Sequence, residues 1–348
     1  MGTSESALPH WLRPHFIEAE NLLRFERFME LCLYDEENGY YARNINSVGT
    51  SGDFSTTPSL SPVLAIALSQ AIMTSGLRDI IEVGPGAGDL ASQLLLQLRP
   101  SALSLRKRIR YHLVERSAPL RALLKQRLGR SVKFHPDMQS ALKVTGGTGF
   151  VISNELVDAF PVRVFQGAPG AIHELFLSLK GGSLVEEWVP TSEIPDSTQF
   201  NLPRDPKQRL EIHHSYRTWL DQWLPSFQNG KLVTIDYGGS GAEVYYRKPQ
   251  GTLRAYYHHE HLTGPDIYRL CGRQDLTADV NFEDLIYWGE QSELSTRRLV
   301  NQHDYCQAHQ GRVTDTQEAR FLTDPAGAGN AFKVLEQERS EVGPVTIG

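Results

Sequence analysis

The stretch Ile80–Leu90, IIEVGPGAGDL, decides how the chain is read. An apolar run ending at Val83 meets a turn whose glycines, Gly84, Gly86 and Gly88, follow a G-x-G-x-G spacing, and Leu90, Leu94, Leu95 and Leu98 then mark one face of a helix. Small residues in such a turn let the backbone approach a ligand closely, and the helix that follows offers free N–H groups. A dinucleotide fingerprint would need a third glycine where this chain has Asp89, an acid that would face a diphosphate unfavourably.

Two carboxylates sharpen the choice of ligand. Glu115 closes the next apolar run, RYHLVE, where an acid can accept both hydroxyls of a ribose, a feature shared by NAD and S-adenosylmethionine sites. Glu82, two residues before the first glycine, would repel a diphosphate but tolerate a ligand carrying an ammonium and a sulfonium. A tight turn beside two surface acids is the plainer alternative. Both acids together with the surrounding rhythm favour a methyl donor.

That rhythm runs outward from the turn. DIIEV, RYHLVE, VKFH and GFVISNE read as four strands separated by helices, among them PLRALLKQRL stopped by Gly129. Alternation of this kind predicts a Rossmann-like α/β fold around a mostly parallel, doubly wound sheet. Upstream, apolar spacing predicts one helix over residues 16–34 and another from Pro62 to about Ser75, with Ser61 as a cap. After Pro161 the pattern changes to antiparallel hairpins, a Pro-rich loop, a helix over QRLEIHHSYRTWLDQWLPSF and a further strand in GKLVTIDYGG. The expected organisation is an N-terminal helical extension with a lid loop (1–75), a cofactor-binding core (76–160), an inserted α+β hairpin and helix region (161–230), and the remainder of the core with C-terminal additions (231–348).

Bulk properties exclude some function classes. With 348 residues and a net charge of −6 the chain can bury a large core but lacks the basic surface of a general nucleic-acid binder. Cys32, Cys271 and Cys306 lie too far apart for a zinc spacing and are expected to be reduced, and no metal is expected. PVLAIALSQAIM is too short for a membrane span. The N-terminus has neither secretory nor transit character, which implies a cytoplasmic, bacterial protein, or a mitochondrial matrix one if a transit peptide is missing here; Gly2 and Ser6 match only a permissive myristoylation pattern.

In a doubly wound sheet chemistry occurs beyond the carboxyl ends of the strands, and the fourth strand delivers SNELVDAFPV there. Asn154, Glu155 and Asp158 are therefore candidate catalytic residues. Their plainer duties are a carboxylate at a helix N-terminus for Glu155 and a cap for Asp158.

FMELCLYDEENGYYA, GDFSTTPSLSP, IIEVGPGAGDL, VERSAPLRALLKQRL, SNELVDAFPV, TIDYGG, GTLRAYYHH, DLTADVNF and AFKVL fall in order over about Phe28 to Leu335. Together they resemble the MidA-like, or NDUFAF-seven-like, class I S-adenosylmethionine-dependent methyltransferases. The resemblance implies a class I core with Glu82, Gly84, Gly86, Gly88 and Glu115 holding the donor, Asp137 and Met138 bordering its adenine, and Asp53 with Phe54 in a lid hinged at Gly49 and Gly52. In eukaryotes the family is associated with symmetric dimethylation of an arginine in a complex I subunit. A protein substrate and a complex I assembly role are implied by analogy, and a homodimer is possible.

A guanidinium pKa above about 12 means that the site must polarise an arginine or take its proton, and Glu155 with Asp158 would clamp the fork. Asp236 and Tyr237 end a strand and are open to either a substrate-side or a packing role. His258, His259 and His261 lack the spacing of a zinc helix. Two departures stand out: Ala87 where the family often has arginine, and Asp279 and Asn281 where it has TAHVDF, the first of which removes a group titrating near neutrality. The rival readings are a non-catalytic assembly protein that retains the pocket, and a small-molecule O- or N-methyltransferase.

Overall fold

A computed structural model describes residues 8–43, 61–99, 109–168, 171–201, 205, 207–257, 260–309, 320, 324 and 327–340. The chain divides into two compact units, each assembled from three stretches.

One unit comprises Val48–Leu156, Trp219–Gly238 and Leu285–Gly348. Its strands are β1 (Asp79–Val83), β2 (Arg110–Val114), β3 (Lys133–His135), β4 (Thr148–Asn154), β5 (Asn229–Gly239), β6 (Ser295–Asn301) and β7 (Phe332–Arg339). They lie in the order β6-β7-β5-β4-β1-β2-β3. The five strands from β5 to β3 are parallel, whereas β7 runs antiparallel between β5 and β6. The four strands expected from the sequence are all present in this parallel block. Strand order reverses between β1 and β4, so their carboxyl ends flank a switch point, the usual location of a ligand crevice.

The helices α1 (Val63–Ser75), α2 (Asp89–Gln97), α3 (Ala118–Leu128) and α4 (Met138–Thr145) accompany these strands. Leu64, Leu68 and Ile72 of α1 and Leu90 and Leu94 of α2 share a buried cluster with Ile80, Tyr111, Phe150 and Ile152. Phe150 and Ile152 are two positions apart on β4, and Ile80 pairs with both Tyr111 and Phe150, so these side chains share one face of the pleated sheet. The expected Ser61 cap is not found: α1 begins at Val63 with Pro62 in the N-cap position and no side-chain cap, and the Ser61 hydroxyl only accepts the Val63 amide at 3.4 Å, because proline takes the position that Ser61 would need to reach deeper amides.

The other unit comprises Met1–Ser47, Val157–Thr218 and Gly239–Asp284. Arg163–Ala168, Ala171–Lys180 and Ser183–Thr191 form the expected antiparallel hairpins. Two expectations fail here. Residues 16–34 do not form one helix: Arg13–Glu18 and Phe25–Tyr34 are separate helices, because Glu20 and Asn21 take φ of 50° and 61°. The Asn21 side chain then exchanges hydrogen bonds with the Leu179 backbone at 3.2 and 2.8 Å, and Leu23–Arg24 pairs with Phe176–Leu177. Likewise 208–227 is not all helix, since Arg209–Ile212 joins the sheet beside Arg163–Gln166 before the helix His214–Trp223 begins. In both places a strand partner remote in sequence overrides a local helical pattern.

Among the described residues no helix is long and apolar enough to cross a membrane.

Candidate functional site

The glycine turn sits where β1 ends. Gly84, Gly86 and Gly88 have φ of 64°, 53° and 82°, a region that side chains rarely adopt. A Cβ on Gly84 would come within 2.6 Å of Leu156 Cδ1, and one on Gly88 within 2.8 Å of Leu124 Cδ2. The Gly84 amide donates to the Val114 carbonyl at 3.0 Å, and that of Gly88 to Pro85 at 2.8 Å, which curls the turn over the strand ends.

Glu82 is 2% exposed, on the face of β1 that also carries Ile80. The Tyr111 hydroxyl donates to its Oε2 at 2.6 Å. Burial pushes the carboxyl up to about 8 from an ordinary value of 4.5, against the lowering effect of that hydrogen bond and with a smaller upward contribution from Asp89. Among the described residues no cation pairs with Glu82. Glu115 follows β2 and is 9% exposed. Its Oε1 accepts the Ser117 amide at 2.7 Å, and burial raises its pKa although that amide, Arg121 and Arg116 act the other way.

Asp89 opens α2. Its charge is not bare, as the sequence argument assumed, because Arg127 of α3 donates to Asp89 Oδ1 at 2.6 Å and also to the Ala87 carbonyl. Asp137 caps α4 by accepting the Ser140 amide at 2.7 Å, and Met138 beside it is buried.

Val83 pairs with Ser153, so the glycine turn and Asn154 leave adjacent strands at one level. Glu155 follows with φ 51°, a left-handed conformation uncommon for a residue other than glycine, asparagine or aspartate. Its amide donates to the Ile235 carbonyl at 2.9 Å, and the next amide, Leu156, donates to Asp236 Oδ2 at 3.2 Å. Asn154 Nδ2 donates to Glu155 Oε1 at 3.1 Å, while Asn154 Oδ1 is buried with no hydrogen-bond partner among the described residues. No helix begins between Glu155 and Phe160, so neither Glu155 nor Asp158 has the helix-terminal duty weighed against it. A strained backbone held by its neighbours marks functional segments more often than scaffold.

Asp158 belongs to the other unit and is buried there. Its carbonyl accepts the Ala278 amide at 3.0 Å. Nearby Tyr41 stacks on Tyr34 with ring centroids 5.4 Å apart and donates to the buried Asp275 at 3.1 Å. Burial raises the Tyr41 hydroxyl well above its ordinary range, and Asp275 and Asp158 add to the effect. Asp279, the departure in TADVNF, forms ion pairs with Lys248 and Arg254, each at 2.5 Å, and Asn281 donates to Thr198 Oγ1 at 3.0 Å. Asp53, Phe54, Gly49, Gly52, His258 and His259 lie outside the described residues.

Sequence reasoning missed Tyr111 and Arg127. Tyr111 was legible in principle, two residues before Leu113, which pairs with Glu82, and therefore on the same face. Arg127 carried no sequence signal, since its partners lie 38 and 40 residues away. Among the described residues the carboxyl edge thus joins a glycine turn packed too closely on Leu156 and Leu124 for a Cβ, a buried acid without a cation and a second acid at the end of β2. This donor set suits a cationic, ribose-bearing ligand.

A family model described as "Putative S-adenosyl-L-methionine-dependent methyltransferase" matches residues 63–300. A Burkholderia thailandensis protein solved bound to S-adenosyl-homocysteine is similar at 26% identity and TM-score 0.84, over 96% of this chain and 92% of that one. A native structure from the same organism is similar at 26% identity and TM-score 0.80, over 96% and 91%. No curated protein matches the sequence.

Proposed function

The chain belongs to that family of S-adenosyl-L-methionine-dependent methyltransferases, with the α/β fold of class I members, and from this premise we propose that it methylates an arginine of a protein substrate. S-adenosylmethionine supplies a methyl group on a sulfonium, open to displacement by an aligned lone pair. In this reading the chain provides alignment and charge, the two contributions such a displacement needs. Glu115 accepts the ribose hydroxyls, the glycine turn lets the backbone close on the donor, and Glu82, which holds its proton near neutral pH without ligand, offsets the donor's positive charge on releasing that proton to solvent. Asp137 and Met138 border the adenine.

The observation that carries the acceptor assignment is the left-handed Glu155 at the end of β4, level with the glycine turn. In this reading the Glu155 carboxylate, half-buried where β4 ends, attracts a guanidinium and localises that group's charge away from the attacking nitrogen. Asn154 orients the carboxylate through their hydrogen bond. Asp158, three residues further on, enters the proposal through the sequence motif alone, and a protein of the complex I type enters as substrate through the family resemblance alone.

The test has two stages. Calorimetric titration of S-adenosylmethionine into wild type and Glu115→Ala, with NADH as control, should show binding that the variant loses and no heat with NADH. Transfer of a labelled methyl group to arginine-bearing peptides should then fall about 100-fold in Glu155→Ala, the order of losing one aimed electrostatic contact, with donor binding retained. Donor binding without any arginine product, or transfer only to a small molecule, would overturn the acceptor assignment while leaving the donor site intact.

A further inference from the structure

We propose that α3 is a strut that positions both halves of the donor site, with Arg121 and Arg127 as its positioning residues; the inference rests on the donor reading given above. Eleven residues of helix span about 16 Å, long enough to tie one end of a nucleoside-sized site to the other.

At the amino end, Ser117 caps α3 by accepting the Leu120 amide at 3.3 Å, while its own amide donates to Glu115 Oε1 at 2.7 Å. One turn on, Arg121 donates to the carbonyls of Glu115 and Arg116, the latter at 2.8 Å. The helix start and the acid that follows β2 are therefore fixed to each other. At the carboxyl end Arg127 grips the glycine turn twice, through the Ala87 carbonyl and the Asp89 carboxylate. Leu124 and Leu128 close on Gly88 between those two contacts, so near that a Cβ there would meet both side chains.

Positions 117, 121, 124 and 128 recur at helical spacing and share one face. One rigid face thus touches the residue expected to hold the ribose and the backbone expected to close on the rest of the donor. Neither arginine is placed against the donor itself. Each acts through a backbone that is.

Arg127 is 42% exposed on its side chain, and ion pairs at that depth contribute little to folding stability. A merely structural contact would accordingly leave binding and stability unchanged together. The strut instead predicts that the two separate.

The probe is S-adenosyl-homocysteine, titrated calorimetrically into wild type, Arg121→Ala, Arg127→Ala, Arg127→Lys and Glu115→Ala, with thermal melts of each without ligand. Arg127→Ala should bind about tenfold more weakly, the order of one charge-assisted hydrogen bond, with its melting temperature close to wild type. Arg127→Lys keeps the charge but loses the fork and should fall between them. Arg121→Ala should weaken binding in the same direction, and in turnover both alanine variants should raise the KM for the donor with kcat retained. Alanine variants that bind within twofold of wild type while Glu115→Ala abolishes binding would overturn the strut and leave the donor site standing. A wild type that binds nothing would overturn the donor reading and the strut with it.

Discussion

Glu82 and Glu174 are both almost wholly buried, at 2% and 1% exposure, and the chain treats them in opposite ways. Glu174 takes both prongs of Arg163, at 2.8 and 2.6 Å, with Arg24 at 3.1 Å as a second cation. Glu82, in the other unit, receives a neutral phenol. Desolvating a carboxylate is costly unless a counter-charge and hydrogen bonds compensate. Glu174 therefore reads as scaffold, whereas Glu82 is held at a cost that a fold alone does not explain. The contrast teaches that a buried acid points to function when its partners leave the burial uncompensated.

The strongest way to break this comparison is Arg163→Met, which strips the main cation from Glu174 and should cost about 3–5 kcal/mol in urea unfolding, with Arg24 holding the loss toward the lower figure. A cost below about 1 kcal/mol would show the pair to be dispensable and remove the contrast. Glu82→Gln should do the reverse. Because the folded carboxyl is raised to about 8, the native state holds a proton that the unfolded chain releases near 4.5, so stability is full below the lower value and falls as pH rises through the window. The variant lacks that titration and should be more stable than wild type by about 3 kcal/mol at pH 7, with the difference vanishing near pH 4.5. Melts of the ligand-free protein across this range decide it, and parallel curves would refute the uncompensated burial. The smallest effect is expected at Glu155→Asn. Asparagine tolerates the left-handed region better, so urea unfolding should show a gain of about 0.5–1 kcal/mol while methyl transfer is lost. Lower stability would mean that Glu155 is held by packing rather than strained for a purpose.

Much of this was legible in the chain. The alternation from Asp79 to Asn154 gave the parallel block because buried strands and amphipathic helices write different periods. Glycines at 84, 86 and 88 announced a close turn, and all three adopt the positive φ that only glycine accommodates freely. The hairpins after Pro161 were equally readable, since a half-buried strand alternates. The break at Glu20–Asn21 was not, because it depends on the Leu179 backbone, more than 150 residues away. Nor was Arg209–Ile212 as a strand, whose partners at Arg163–Gln166 supply the reason to extend.

Local sequence therefore determined the class of fold, the close glycine turn after β1 and the two acids at the strand ends, because each is specified by residues within a few positions of one another. Only the tertiary structure decided that Glu82 would meet a phenol instead of a cation, that Asp89 would be neutralised by Arg127, that Glu155 would be bent into a left-handed turn and that β7 would run against its neighbours. These outcomes depend on which groups remote in the chain are brought together: at Glu82 desolvation decides, at Asp89 a half-exposed partner, and at Glu155 and β7 backbone hydrogen bonds to distant strands.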